Sequence, residues 1–463
     1  MKSNAELRPI LTGVASGLVV GLVVLVGLFL GPLGGSGASS GDGESQTEAM
    51  PSDQEAEIGE TSDPTATIEA PQCSVAELEQ SAEILDLQAH VIDASTGTVL
   101  FDRSSATPAR PASVMKLLTA AAALETLGPN YRVITRVYAD SSDPSIIYIV
   151  GAGDVTLSRT NPGASSVYRN APKLADLARQ IAAKAPGQSI SQIVLDSTLY
   201  GGSEGEYQSV WDQRGLTDGY MSYVSALQVD GDRANPASKD SARSKDPVTK
   251  AGEYFKQALG QSATAAVLSK GSAPADAVEI ASVRSAPLSS WIDYMLVVSD
   301  NSLAEAMARL VSLEVGLDGS FSSLTRAYQI ALRDTGISLA GLKVEDGSGL
   351  SRFNQLSPVT VNELLQLVDK SYPNFKVILD GMPVAGTPGS LGYRFESAAG
   401  KVVAKTGWIR TGYTLAGFLY PEDGSKIIFT VYNLGNSVNT KNQEAMDSLV
   451  LGFYGCGLSL ANR

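Results

Sequence analysis

Strand-like and helical patterns of apolar residues mark the first elements of the chain. The run Leu87–Ile92, a polar turn ending at Gly97 and a short run over Val99–Phe101 predict a β-hairpin. The next segment, Val114–Leu127, places its apolar residues on one face and predicts a helix. A hairpin followed by a helix therefore opens the part of the chain that can form a core.

The pattern changes between residues 131 and 286. Short apolar runs are separated there by Gly, Ser, Asp and Pro, which is typical of a mixed, strand-rich region. The strands predicted in this region are Val133–Tyr138, Ile146–Val150 and Ile193–Leu195. We interpret residues 131–286 as an inserted domain.

Helical and then strand-like patterns return after residue 286. The predicted helices are Trp291–Val315, Phe321–Thr335 and Pro358–Val368, the last with Ser357 as N-cap. The predicted strands are Val402–Trp408, Tyr413–Leu419 and Ile427–Tyr432, followed by a helix around Gln443–Leu451. The early hairpin and the late strands most simply join one sheet, with helices packed on it. The expected fold class is therefore α+β, with a core that an insertion interrupts.

An uncharged, mostly apolar run of 24 residues spans Ile10–Leu33. A bilayer takes about 20 residues to cross, and the apolar part of a secretory signal has only about 7–15. Lys2 and Arg8 precede the run and the next basic residue is Arg103, so the rest of the chain is expected outside the cytoplasmic membrane. A long cleaved signal peptide is the alternative to a membrane-anchoring helix, and both export the protein.

Residues 34–72 contain nine carboxylates and no basic residue, a composition that predicts a disordered acidic linker. The whole chain has 35 basic and 49 acidic residues, a net charge of −14 that argues against nucleic acid as a partner. The predicted division is a cytoplasmic segment 1–9, a transmembrane or signal helix 10–33, the linker 34–72, a core domain 73–130 and 287–463, and the insertion 131–286.

Few side chains are available for metal or histidine chemistry. His90 is the single histidine, and Cys73 and Cys456 are the two cysteines, too few for an ordinary zinc site. We expect no metal and no other cofactor, and a Ser-His-Asp hydrolase would have to use His90. Because the domain is exported, a disulfide between Cys73 and Cys456 is expected, with two unpaired thiols as the alternative.

Three short motifs carry the candidate chemistry. A serine nucleophile needs a base, and the segment Ser113–Lys116 places a lysine on the same helix face as a serine. Alone, this segment could equally be an N-capping serine and a solvated lysine. The segments Ser299–Asn301 and Lys405–Gly407 follow in order. The set Ser-x-x-Lys, Ser-Asp-Asn and Lys-Thr-Gly is the signature of penicillin-binding proteins and β-lactamases.

The sequence resembles the penicillin-binding protein 4 type of D-alanyl-D-alanine carboxypeptidase/endopeptidase over essentially all of residues 80–455. The segments that carry the resemblance are Pro111–Ala120, Gly151–Leu157, Ser299–Glu305, Asp346–Arg352 and Met382–Gly386. The resemblance implies a β-lactamase/transpeptidase-like core, which is an antiparallel sheet with helices on both faces, with domains inserted between the first two motifs. The spacing of 186 residues from Ser113 to Ser299 is shorter than usual in that family, so a third inserted domain is expected to be reduced or missing.

The resemblance also implies acyl transfer on peptidoglycan stem peptides, with β-lactam antibiotics as covalent inhibitors. Ser113 is expected to be the nucleophile, Lys116 its base, and Ser299 the relay that protonates the leaving amine. Backbone N–H groups of Ser113 and Trp408 would form the oxyanion hole. The residues expected to bind substrate or line the cleft are Asn301, Ser348, Arg352, Lys405, Thr406 and Trp408. For Arg352 a structural salt bridge is the alternative.

One position departs from the family pattern, because Trp408 stands where Lys-Thr-Gly is usually followed by threonine. That threonine normally helps bind the terminal carboxylate of the substrate, so the contact is lost or replaced here. The change supports one alternative, a catalytically impaired peptidoglycan-binding scaffold. Because a β-lactamase shares the three motifs, one that holds its water through Glu345 or Glu363 is a second alternative, and a synthetic transpeptidase is a third.

Overall fold

The computed structural model describes residues 73–202 and 206–460. The predicted transmembrane or signal helix 10–33 and the predicted linker 34–72 lie outside these residues. Within the two described ranges, no helix combines the length and the apolar character that crossing a bilayer requires.

A five-stranded antiparallel sheet joins the two ends of the described chain. Its strands are β1 (Asp86–Asp93) and β2 (Val99–Arg103) from the start, and three strands from the end, which are β8 (Val402–Ile409), β9 (Gly412–Leu419) and β10 (Ile427–Leu434). The strand order is β2-β1-β10-β9-β8, so β1 pairs with β10 along its whole length. The predicted hairpin and the predicted terminal strands are therefore confirmed, as is their union in one sheet.

Apolar side chains cover both faces of this sheet. One face packs against α11 (Thr440–Cys456), through residues such as Phe429 on β10 and Phe453 on the helix. The opposite face packs against a helical layer. That layer comprises α2 (Met115–Thr126), α6 (Leu288–Val298), α7 (Asn301–Glu314), α8 (Leu324–Ala331), α9 (Pro358–Asp369) and α10 (Lys376–Asp380). Helices α2 and α7 are buried over nearly their entire lengths.

A second sheet is built entirely from residues of the predicted insertion. Its strands are β3 (Ile134–Ala139), β4 (Ile146–Val150), β5 (Gln192–Asp196), β6 (Val267–Lys270) and β7 (Val278–Arg284). They lie in the order β6-β5-β4-β3-β7, with β4, β5 and β6 parallel and β3 antiparallel to its neighbours. The helices of this region are α3 (Leu174–Lys184), α4 (Arg214–Thr217) and α5 (Pro247–Leu259). The boundaries 131 and 286 stay a prediction.

The single long helix expected from Trp291 to Val315 is wrong, because the chain forms α6 and α7 with a break between them. Ser299 adopts the left-handed conformation (φ 62°) and ends α6. Asp300 then caps α7 by accepting a hydrogen bond from the backbone N–H of Leu303. Periodicity did not reveal the break because apolar residues continue on both sides of it. The helix expected over Phe321–Thr335 is also shorter, with α8 ending at Ala331.

The ends of the described chain are held together covalently. A short helix α1 (Ala76–Glu79) follows Cys73, which forms a disulfide with Cys456 at the end of α11. The expected disulfide is therefore present, and its two cysteines are 383 residues apart in sequence. It fastens the start of the domain to the helix that covers one face of the first sheet.

Candidate active site

Ser113 lies in a tight turn that leads into α2. A 3₁₀ turn spans Ala112–Val114, and Ala112 has a positive φ of 45°, a conformation that costs a non-glycine residue energy. Two glycines permit the close packing around this turn. A Cβ on Gly349 would lie 1.8 Å from the carbonyl oxygen of Ala112, and one on Gly407 would lie 2.9 Å from the backbone nitrogen of Ser113. Strand β8 therefore lies directly against the serine.

Lys116 is fully buried beneath Ser113, one helical turn along. Its Nζ donates to Ser113 Oγ at 2.9 Å, to Asn301 Oδ1 at 2.7 Å and to the backbone carbonyl of Ser348 at 2.6 Å. These three acceptors use all three donors of an ammonium group. If Nζ is neutral, it donates only two hydrogen bonds, and its lone pair can accept the proton of Ser113 Oγ.

Burial lowers the pKa of Lys116 to about 8, although the carboxylates of Asp346, Glu305 and Asp300 favour its charged form. Glu305 is itself buried, and burial together with the neighbouring Asp346 raises its pKa to about 7. A lysine with a pKa near 8 is partly neutral at physiological pH, which is what a general base requires.

The break between α6 and α7 brings the second motif to the same place. Ser299 occupies the left-handed position, and Asn301 is the first residue of α7. The Asn301 side chain is almost fully buried and donates one N–H to the carbonyl oxygen of Tyr220 at 2.9 Å. Its second N–H is not needed for that contact and can bind a substrate carbonyl.

A buried ion pair from the inserted region fixes this turn. Arg233 donates to Asp300 Oδ2 at 2.7 Å, and both side chains are no more than 3% exposed. Burial alone would raise the pKa of Asp300, but the charge of Arg233 holds it below its usual value. Arg233 also donates to the hydroxyl of Tyr168 at 2.7 Å. The insertion therefore positions the second motif through its polar side chains.

The third motif lies on the edge strand β8. Lys405 is fully buried, and its Nζ donates to Ser299 Oγ at 2.9 Å and to the Thr406 carbonyl at 2.8 Å. Burial, and then the neighbouring charges of Lys116 and Lys239, hold its pKa well below the usual value. The hydroxyl of Thr406 donates to Ser390 Oγ at 2.9 Å. Ser390 belongs to the loop before β8.

Part of this set borders a cleft of about 1100 Å³, whereas the buried side chains of Lys116 and Lys405 do not line it. Ser113, Ser299, Asn301, Thr406, Trp408 and Arg352 all face it. Trp408 is 54% exposed, with the ring of Tyr413 at 6.5 Å. In the part of the chain that the structure describes, no carboxylate forms an ion pair with Arg352, so the structural salt bridge considered for it is absent there.

Ser348 differs from the expectation that its side chain lines the cleft. The side chain is fully buried, and its hydroxyl contacts Asp346 Oδ1 at 3.3 Å. Because Asp346 also accepts from the backbone N–H groups of Gly349 and Ser351, it shapes a turn that directs the Ser348 carbonyl to Lys116. The contribution of Ser348 to the site is thus its backbone oxygen.

Other candidate residues lie outside the cleft. His90 is on β1, where its Nδ1 is 3.1 Å from Nδ2 of Asn362. Glu363 accepts from the backbone N–H of Ser338, and Glu345 pairs with Lys343. Neither glutamate borders the cleft. Among the described residues, no His, Cys, Asp or Glu side chains gather as a metal site.

Sequence reasoning missed three contributors to this site. Arg233 and Tyr220 come from the insertion, and Ser390 comes from the loop that follows the Met382–Gly386 signature. No local pattern marks Arg233 or the carbonyl of Tyr220, since their contacts cross about 67 and 81 positions of sequence. For Ser390, the only sequence signal was the nearby Met382–Gly386 segment in the same loop.

Known proteins resemble this chain in sequence. The sequence profile of the D-Ala-D-Ala carboxypeptidase 3 (S13) family matches residues 73–242 and 232–451. Carboxypeptidase DacB of Mycolicibacterium smegmatis is 33% identical over 376 residues, which cover 79% of this chain and 80% of that protein. Carboxypeptidase Rv3627c of Mycobacterium tuberculosis is 34% identical over 379 residues, which cover 80% of both.

Solved structures show the same architecture. Penicillin-binding protein 4 of Haemophilus influenzae matches with a TM-score of 0.68 at 20% identity, over 82% of this chain and 99% of that chain. Its complex with a β-lactam matches with a TM-score of 0.62 at 18% identity, over the same shares. The likeness confirms the predicted α+β fold.

Proposed function

We propose, because the chain belongs to the D-Ala-D-Ala carboxypeptidase 3 (S13) family, that it is a serine D-Ala-D-Ala carboxypeptidase acting through a Ser113 acyl-enzyme. The observation that carries the proposal is the buried Lys116, whose Nζ is 2.9 Å from Ser113 Oγ and whose pKa is lowered to about 8. A nucleophile and a matched base held in contact have no evident structural purpose. The substrate is a peptidoglycan stem peptide that ends in D-Ala-D-Ala.

In the acylation step, Ser113 Oγ attacks the carbonyl carbon between the two D-alanines and its proton passes to Lys116. The C–N bond then breaks, and the amine of the terminal D-alanine leaves with a proton delivered through Ser299. The hydrogen bond from Lys405 to Ser299 supports this relay, because it connects Ser299 to a second buried amine. Water hydrolyses the resulting ester and regenerates Ser113, which makes the net reaction a hydrolysis.

Two backbone N–H groups, of Ser113 and Trp408, bind the developing oxyanion in this proposal. Each donor of this kind is worth about 3–4 kcal/mol in other acyl-transfer enzymes. The close approach of Gly407 to the backbone nitrogen of Ser113 supports the assignment, because it brings β8 beside the nucleophile. Asn301 binds the substrate amide through its free N–H, and Lys405 and Thr406 bind the free carboxylate. Arg352 also lines the cleft.

β-Lactam antibiotics acylate the same serine in this proposal. The β-lactam complex of the Haemophilus influenzae protein supports it, as does the cyclic amide that these drugs offer to a serine nucleophile. A β-lactamase is less consistent with the site, since neither Glu345 nor Glu363 borders the cleft to hold a deacylating water. The exposed Trp408 would favour a binding scaffold, but the connected polar set around Ser113 favours catalysis. A synthetic transpeptidase would use the same acyl-enzyme, and only the acceptor would differ.

We further propose that the enzyme works outside the cytoplasmic membrane, tethered by residues 10–33 or secreted after their cleavage. The uncharged run of 24 residues and the disulfide both support export. The mass of the N-terminal peptide of the protein isolated from membranes or from the medium distinguishes the two forms.

Release of D-alanine tests the function. The full chain should release D-alanine from an N-acylated tripeptide that ends in D-Ala-D-Ala, and Ser113→Ala should release none. Ser209→Ala is a matched control, because Ser209 is an exposed serine on the wall of the same cleft. No release by the native chain would reject the carboxypeptidase and favour the scaffold.

A further inference from the structure

A pair of hydroxyl groups lies on the β8 side of the cleft that Ser113 also lines. Thr406 donates to Ser390 Oγ at 2.9 Å, and both residues line the cleft and are partly exposed. Two hydroxyls that bond to each other use one of their two protons, so one O–H stays available to a ligand whichever way the pair is oriented.

The place of Thr406 on β8, next to Gly407, suits a ligand group that lies one residue beyond the carbonyl at Ser113. Thr406 directly precedes Gly407, where an added Cβ would lie 2.9 Å from the backbone nitrogen of Ser113. In a D-Ala-D-Ala peptide, the terminal carboxylate lies one residue, about 3.8 Å between Cα atoms, beyond the carbonyl that is attacked. A ligand whose carbonyl is at Ser113 can therefore extend its carboxylate along β8 to the hydroxyl pair.

The surrounding charge favours an anion. The cleft is lined by seven Arg or Lys and four Asp residues, although the chain as a whole has a net charge of −14. Four of the cations form no ion pair among the described residues, and these are Lys239, Arg243, Arg352 and Arg410. A carboxylate entering the cleft thus meets a positive potential and two hydroxyl donors.

Trp408 cannot supply the hydroxyl that a threonine at this position would offer to a carboxylate. Side chains alternate along a strand, so Thr406 and Trp408 point to the same side, and both line the cleft. The indole of Trp408 offers an N–H at the end of a bulky ring, not a short hydroxyl. Any second hydroxyl for the carboxylate has to come from another element, and Ser390 provides it.

We propose that Ser390 is a specificity-determining residue whose hydroxyl, together with that of Thr406, binds the free C-terminal carboxylate of the substrate. When the carboxylate enters, the hydrogen bond between the two hydroxyls is exchanged for one bond from each to the anion. This inference rests on the proposed carboxypeptidase function and adds the residue that replaces the hydroxyl absent at position 408.

The test compares ligands with and without the carboxylate. The acylation rate constant divided by the dissociation constant is measured for benzylpenicillin and for its methyl ester, with the native chain and with Ser390→Ala. A hydrogen bond to a charged group implies a loss of about 10- to 100-fold for benzylpenicillin. The methyl ester should change by less than about twofold, because it has no anion to bind.

Two further variants complete the experiment. The double variant Ser390→Ala/Trp408→Thr returns a hydroxyl to β8 and should recover most of the loss with benzylpenicillin. The control Ser448→Ala, at an exposed serine of α11 that does not line the cleft, should match the native chain with both ligands. An equal loss with acid and ester would overturn the proposal, since Ser390 would then only hold the loop, and an unchanged rate with benzylpenicillin would overturn it too. Failure of the native chain to react with either ligand would instead reject the proposed function.

Discussion

The two walls of the cleft are built on different principles. The helical wall presents Ser113, in the 3₁₀ turn before α2, and Asn301, the first residue of α7, with Lys116 of α2 buried behind them. Its Lys116 is fully buried and uses its three donors within the protein. The strand wall consists of Ser390, Thr406 and Trp408, carried by β8 and the loop before it. Its residues are partly or largely exposed, and Trp408 is 54% exposed.

This difference fits a division of tasks, with proton transfer at the helical wall and recognition of the substrate carboxylate at the strand wall. Groups that move a proton need fixed distances and shifted pKa values, which burial and a filled set of hydrogen bonds provide. Groups that bind a carboxylate have to stay open to the ligand and exchange their own contacts for it. A substitution on the helical wall should therefore affect every ligand, whereas one on the strand wall should affect ligands according to their carboxylate.

The largest effect is expected at the base. Lys116→Ala should slow acylation by benzylpenicillin and by its methyl ester alike, about 10²–10⁴-fold, because the proton of Ser113 loses its acceptor. Lys116→Met, which keeps the volume, should do the same. Lys343→Ala, an exposed lysine paired with Glu345, is the matched control. Near-native rates in a folded Lys116 variant would contradict its role as base.

Removing the ion pair behind the helical wall should cost stability. Arg233→Met leaves Asp300 as an unpaired buried charge, which typically costs about 3–5 kcal/mol in the free energy of unfolding. Urea denaturation of the full chain measures this loss. Arg179→Met, at an exposed pair with Asp176, should cost less than about 1 kcal/mol. Equal costs for the two variants would mean that the insertion does not support the second motif.

The pH dependence of acylation should follow Lys116. Its pKa is lowered to about 8 and the base acts in the neutral form, so the rate should rise about tenfold per pH unit below 8 and level off above it. A lysine at its usual pKa would keep the rate rising to about pH 10.4. The same profile is expected with benzylpenicillin and its ester. A rate that falls as the pH rises through 8 would contradict a neutral lysine base.

The smallest effect is expected at Trp408. Trp408→Thr adds a third hydroxyl near the carboxylate and should raise kcat/KM for a D-Ala-D-Ala peptide by only a few-fold, because Ser390 and Thr406 already supply two donors. Trp408→Phe keeps an aromatic ring without a hydroxyl and should give no gain. A gain of 100-fold or more in Trp408→Thr would show that Ser390 does not replace the missing contact.

Sequence patterns predicted the strands better than the junctions between helices. The apolar runs at Leu87–Ile92 and near the C-terminus lie in strands that are mostly or fully buried, so a short apolar run between turn residues was enough to locate each strand. The break at Ser299 was missed because a left-handed residue leaves no mark on hydrophobic periodicity. It could be recognised only as the polar group Ser-Asp-Asn inside an apolar region.

The same limit applies to the site. Ser113, Lys116, Asn301 and Lys405 could be chosen from their motifs, and the structure brings them within hydrogen-bond distance of one another or of Ser299. The contacts of Arg233 and Ser390 depend on how distant segments pack, which local spacing does not encode. The burial of Lys116 also follows from tertiary packing, since a helix of this composition could expose its lysine.

The central claim is that Ser113 is an activated nucleophile, and the intact mass of the full chain after mixing with benzylpenicillin tests it most directly. The mass should increase by one penicilloyl group and keep that increase for hours, and Ser113→Ala should show no increase. An adduct that persists in Ser113→Ala would contradict the assignment of the nucleophile. An adduct that disappears while free penicilloate accumulates would contradict the carboxypeptidase and favour a β-lactamase, and no adduct at all would contradict an activated serine.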